Sequence, residues 1–134
     1  MREIYAGIIL DGSQISIDHF IPWSYVAHDE LWNLNPTTRS INSSKSNHLP
    51  DWDTYFSKLE ALQYRAYELV WQYDRLHDVF EKCAKEHINS VDVKQKLYRP
   101  GLAREEFAAQ LDDIVRPVYG AALNLGFDKW TLRE

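Results

Sequence analysis

Apolar residues follow two regimes along these 134 residues. Up to about Leu34 they come in short runs or alternate with polar ones; from Trp52 onward they recur every three or four positions. The run IYAGIIL, interrupted by Gly7, predicts a short strand over residues 3–10. Asp11-Gly12 then reads as a tight hairpin turn that uses left-handed backbone. Residues 14–17 alternate, which predicts a half-buried strand with Ile15 and Ile17 on one face. Pro22 stops pairing soon after. Residues 23–31 are irregular or a short helical turn, with Asp29 and Glu30 placed to open one. Residues 32–34 form a second strand ended by Asn35-Pro36, and Thr37 or Thr38 caps a helix over residues 39–47.

The later regime is helical. Asp51 is a credible N-cap, and residues 52–87 contain neither Gly nor Pro. Trp52, Phe56, Leu59, Leu62, Ala66, Leu69, Tyr73, Leu76, Phe80 and Cys83 form a nearly heptad stripe. It belongs to one long amphipathic helix, or to two with a break near residues 72–74. On that stripe Cys83 is a small buried hydrophobe, and the aromatics are core rather than base-stacking platforms. Residues 91–98 make another helix after an Asn89-Ser90 cap, and Arg99-Pro100-Gly101 is a loop. Residues 102–125 form the last helix, with Pro117 as the place for a kink and Gly126 as its stop. Residues 127–132 fold back, anchored by Trp130. The fold class is therefore α+β and mostly α, with strand, loop, strand and helix first and a helical half after residue 50.

The chemistry concentrates in residues 17–50. There Asp18 and His19 fall at a strand end, Asn33 lies in the middle, and Asn42 precedes Lys45 by three positions, on one helix face. A carboxylate and carboxamides offer oxygen to a hard divalent cation, beside a histidine able to take a proton from water. Metal-assisted hydrolysis uses such a set.

Three linked blocks carry a resemblance: Asp-His-x-x-Pro-x-Ser over residues 18–24, Asn33-Leu34, and Asn-x-x-Lys-Ser over residues 42–46. Together they resemble the HNH nuclease motif of the ββα-metal fold, and most of all the HNH domain of RNA-guided CRISPR nucleases, aligned without gaps through Pro50. The resemblance implies a ββα-metal unit over residues 1–50, with residues 51–134 a helical extension packed on it in a single structural domain. It implies that His19 is the general base, and that Asp18 and Asn42 ligate one Mg²⁺ or Mn²⁺ ion. Asn33 bonds backbone to hold the loop that positions the histidine. Lys45 contacts the scissile phosphate or is an exposed helix lysine, and Arg39 stands in the same balance. Pro22 and Ser24 set the shape of the motif. His28 and His48 are surface or supporting residues rather than further ligands.

Composition narrows the setting. An apolar share of 45% and aromatic share of 13% suffice for a real core. No run approaches the ~18 residues of a membrane span, and no secretory leader is evident. Cys83 is the only cysteine, so there is neither a disulfide framework nor the CxxC pair found beside many HNH motifs. A reducing cytoplasm is the default compartment. The net charge of −5 is a poor platform for a DNA substrate. Together with strand-like sequence starting almost at Met1, it points to a fragment or a shortened relative that draws DNA affinity from a partner domain or subunit. A non-catalytic module of the same fold and a toxin nuclease with an immunity partner are the other readings. Oligomeric state stays open.

Overall fold

The computed structural model describes residues 2–84 and 90–133. Alternating polar and apolar residues extend the chain as β1 (Ile15–His19), which pairs antiparallel with β2 (Leu34–Thr38). The register sets Ile17 opposite Pro36, Asp18 opposite Asn35 and His19 opposite Leu34. One step further, the Phe20 N–H donates to the Asn33 carbonyl at 2.8 Å. Counting back by twos along an antiparallel ladder, Pro36 falls at a position that forms no ladder hydrogen bond, so its missing N–H costs nothing. The second strand therefore starts at Leu34 and runs through Pro36. The expected strand over residues 32–34 is instead a 3₁₀ turn, Leu31–Asn33, that leads into it.

The burial of β1 is the reverse of the apolar pattern. Ile15 and Ile17 are 40% and 55% exposed, whereas Asp18 on the alternate face is 2% exposed. Polar residues point inward here because the element packed on that face, the helix after β2, brings polar partners of its own.

The expected strand over residues 3–10 is a tight turn closed by an isolated Arg2–Ile9 bridge. The cause is Glu3. Its carboxylate, 2% exposed, accepts the N–H groups of Tyr5, Ala6 and Gly7 and the Thr37 hydroxyl, which bends the backbone around it. Gly7 supplies the left-handed residue, at φ +72. Gly12 does not: Asp11 caps a 3₁₀ turn over Gly12–Gln14 instead of forming a hairpin.

After β1, Pro22 precedes α1 (Trp23–Val26), a single turn. Thr38 caps α2 (Arg39–Lys45) by accepting the Ile41 N–H. This helix stops two residues short of its expected end, at Ser46, whose φ is +49. Next come β3 (Leu49–Pro50), α3 (Trp52–Gln72) capped by Asp51, and α4 (Asp74–Ala84) after a break at Tyr73. The expected continuation to His87 and the Asn89 half of the next cap lie outside the described residues. Then follow α5 (Ser90–Lys96), α6 (Arg104–Asn124) and β4 (Lys129–Trp130). Pro117 lies inside α6, and Gly126 follows its end at φ +100.

The last segment does fold back: β4 pairs parallel with β3, and Trp130 stacks near Tyr55 and edge-on to Tyr5. Tyr119 of α6 donates to the Pro50 carbonyl at 2.6 Å, and its ring meets Trp52 of α3. Phe20, fully buried at the end of β1, meets Phe56 of α3. One hydrophobic core thus includes residues of the N-terminal unit and of the helices.

The predicted helical stripe is interior only in part. Phe56, Leu59 and Phe80 are buried, but Tyr73, Leu76 and Cys83 are exposed, which corrects the reading of Cys83 as a core hydrophobe. Beside them lies an apolar groove of about 400 Å³, lined by Leu62, Ala66, Leu69, Leu76, Val79 and Cys83 among others. Among the described residues, no helix is long and apolar enough to cross a membrane.

Candidate active site

The end of β1 and the inner face of α2 build the site. Strand alternation turns Ser16 and Asp18 to one face, and α2 lies across it. From that helix, Asn42 donates through Nδ2 to Ser16 Oγ at 2.9 Å. One turn later the Lys45 ammonium meets Asp18 Oδ1 at 3.1 Å and the His19 carbonyl at 2.7 Å. Asn42 and Asp18 thus stand over the same strand face, joined through Ser16 and Lys45.

Lys45 is 1% exposed, so it is not a surface helix lysine, and its ammonium turns inward to Asp18 rather than outward to a phosphate. Arg39 is exposed at the start of the same helix. Asp18 is closed on its other side by the Tyr5 hydroxyl, which donates to Oδ2 at 2.5 Å. Burial pushes the Asp18 carboxyl above its usual range, against the opposing pull of the Lys45 charge and the Tyr5 hydrogen bond. Burial likewise pushes the Lys45 ammonium down, while Asp18 holds it up.

His19 follows on the alternate face. Its Nε2 lies 2.7 Å from Asp29 Oδ1, in the loop between α1 and β2. An ionised carboxylate only accepts, so Nε2 is the nitrogen that carries a proton towards Asp29, and in a neutral ring the lone pair lies on Nδ1. The imidazole is 23% exposed, within reach of solvent. Asn33, fully buried, clamps the segment after it: Oδ1 accepts the Ile21 N–H at 2.7 Å and Nδ2 donates to the Ile21 carbonyl at 2.9 Å. His28 pairs with Glu30, and His48 Nδ1 meets the Lys45 carbonyl, so neither imidazole reaches Asp18.

Among the described residues, no three or more His, Cys, Asp or Glu side chains gather as a metal cage. The available donors are the Asp18 carboxylate and the Asn42 carboxamide oxygen. Two oxygens suit only a hard cation that keeps most of its water, as Mg²⁺ does. Lys45 already balances part of the Asp18 charge, so an ion held by these two donors would meet a weak, low-charge site.

Four residues of this site carry no motif signal: Glu3, Tyr5, Ser16 and Asp29. Ser16 could have been found, since it lies two positions from Asp18 and so shares its face of the strand. The others come from loops whose paths the spacing does not fix.

Residues 2–51, under half of the chain, match the family model described as HNH endonuclease. Comparisons with curated proteins and with solved structures gave no match.

Proposed function

Since residues 2–51 match the family model described as HNH endonuclease, we propose that this chain is a metal-dependent endonuclease that hydrolyses DNA phosphodiester bonds with His19 as its general base. The observation that carries the reading is the His19–Asp29 pair beside Asp18. Asp29 accepts a hydrogen bond from Nε2–H, which leaves Nδ1 as the basic nitrogen. A water next to Nδ1 gives up its proton as it attacks phosphorus, and the imidazolium that forms is matched by the Asp29 carboxylate. Asn33 keeps the segment after His19 in place through both of its amide atoms. Lys45, on the His19 carbonyl, fixes the backbone from below. Asp18 and Asn42 would hold the Mg²⁺ or Mn²⁺ ion, which when bound supplies positive charge to the phosphate and the leaving oxygen.

His19→Ala should abolish plasmid nicking in Mg²⁺ while leaving the circular-dichroism spectrum and melting curve unchanged. Nicking by the purified variant at the wild-type rate would sink the assignment.

The net charge of −5 favours one further reading. Here the same site cuts efficiently only when a partner domain or subunit holds the DNA, since phosphate contacts supply most affinity for nucleic acid.

A further inference from the structure

Tyr5 lies thirteen residues before Asp18 in a turn that the motif does not include, yet its hydroxyl is one of the two groups on that carboxylate. Tyr5 is 5% exposed. Its ring is boxed edge-on by Tyr55 of α3 and by Trp130 of β4, with both centroids at 5.1 Å. Its backbone is pinned by Glu3, which accepts the Tyr5 N–H at 2.9 Å. Asn35, directly across the ladder from Asp18, is fully buried. Neither of its amide atoms makes a well-formed hydrogen bond, although its carboxamide is close enough to influence the Tyr5 hydroxyl. Hence the hydroxyl has one strong acceptor, Asp18 Oδ2, and little freedom to leave it.

We propose that Tyr5 is a positioning residue of the hydrolytic site, which fixes the Asp18 carboxylate so that its remaining lone pairs and Asn42 can meet a divalent cation. This inference rests on the reading of Asp18 and Asn42 as the cation's ligands. It goes further in making the turn at Glu3–Gly7, the helix α3 and the C-terminal strand part of the site's support. An outer partner of a metal ligand acts by orienting it, and its loss costs roughly 10–100-fold in metal affinity or activity. A tyrosine that served only as core would contribute through its ring, and losing the hydroxyl alone would leave cation affinity untouched.

The test is Tyr5→Phe in the full chain, compared with wild type and His19→Ala. Mn²⁺ affinity is read by electron paramagnetic resonance, and kcat and KM for nicking are read across a Mg²⁺ titration. Tyr5→Phe should keep the wild-type spectrum, weaken Mn²⁺ binding about tenfold and need correspondingly more Mg²⁺ for half-maximal kcat, with KM for DNA unchanged. His19→Ala should bind Mn²⁺ as wild type does. A folded Tyr5→Phe protein with wild-type Mn²⁺ affinity and Mg²⁺ requirement overturns the role of Tyr5 alone. Failure of wild type to bind Mn²⁺ overturns the reading of Asp18 and Asn42 as ligands and this inference with it. Should Tyr5→Phe not fold, Trp130→Phe, which keeps the hydroxyl but loosens its wall, should show the same weakening in smaller measure; no weakening there also overturns the proposal.

Discussion

Lys45 shows how much a single side chain can hold in this molecule. Its ammonium, buried with Asp18, joins α2 to the end of β1 through a carboxylate and a backbone carbonyl. Removing one member of a buried pair leaves the other charged and unmatched, at a cost of about 3–5 kcal/mol. Lys45→Met should therefore lose roughly that much in urea denaturation, and the double variant Lys45→Met/Asp18→Asn should recover most of it. A single variant as stable as wild type would show that the pair contributes nothing net. At this scale the sequence was informative where residues sit in a spaced motif and silent elsewhere. Asp18, His19, Asn33, Asn42 and Lys45 could all be picked out from spacing. That Lys45 turns inward could not, because its direction depends on a carboxylate 27 positions earlier in the chain. Glu3 stayed hidden for a related reason: a lone glutamate in an apolar run gives no sign that it will gather three backbone N–H groups.

Among the elements, caps and breaks were legible because they are local chemistry. Asp51 and Thr38 cap α3 and α2 through their own side chains, and the interruption between α3 and α4 falls within the expected window. What periodicity could not supply was the identity of the opposing surface. The stripe from Trp52 to Cys83 fits a helix throughout, but of its later part only Phe80 is buried, while Tyr73, Leu76 and Cys83 are exposed, the last two beside an open groove. Similarly, the alternation in β1 gave a strand and the wrong inner face. Tyr119 ties α6 to β3, and burial with the nearby Asp51 charge pushes its hydroxyl up to about 12 from an ordinary 10.0. The folded state thus holds this proton more tightly than the unfolded chain does. The stabilisation is complete below pH 10 and is lost as pH rises through about 12. Alkaline titration monitored by circular dichroism should show this loss, and Tyr119→Phe should flatten it. An unchanged alkaline profile in that variant would assign the loss to other groups.

For the whole molecule, charge is the feature that matters most to a nuclease reading. The chain carries 20 acidic residues against 15 Lys and Arg. Several cations are already committed to neighbours, among them Lys45 to Asp18, Arg116 to Asp112 and Lys94 to Glu81. Binding to a short duplex, followed by fluorescence anisotropy, should therefore be weak even at low salt. The logarithm of affinity should fall with the logarithm of salt at a slope no steeper than about −4, the release expected from about four phosphates. A slope near −8 would reveal a basic platform and remove the need for a DNA-holding partner. The mostly helical α+β class was legible from the two regimes of hydrophobic spacing. The pairing of β4 beside β3 was legible only as a return of the chain, because a two-residue strand leaves no pattern.

The ladder between β1 and β2 has a consequence for how this chain can vary over generations. Strand side chains alternate, so adding or deleting one codon within residues 15–19 would exchange inside for outside. Asp18 and His19 would trade surroundings, one losing Lys45 and Tyr5 and the other losing Asp29. The loop between α1 and the 3₁₀ turn before β2 has no such parity to keep. Lineages of this chain are thus free to drift in length there, so long as Asp29 still reaches His19, while the five-residue strand is held to a fixed count.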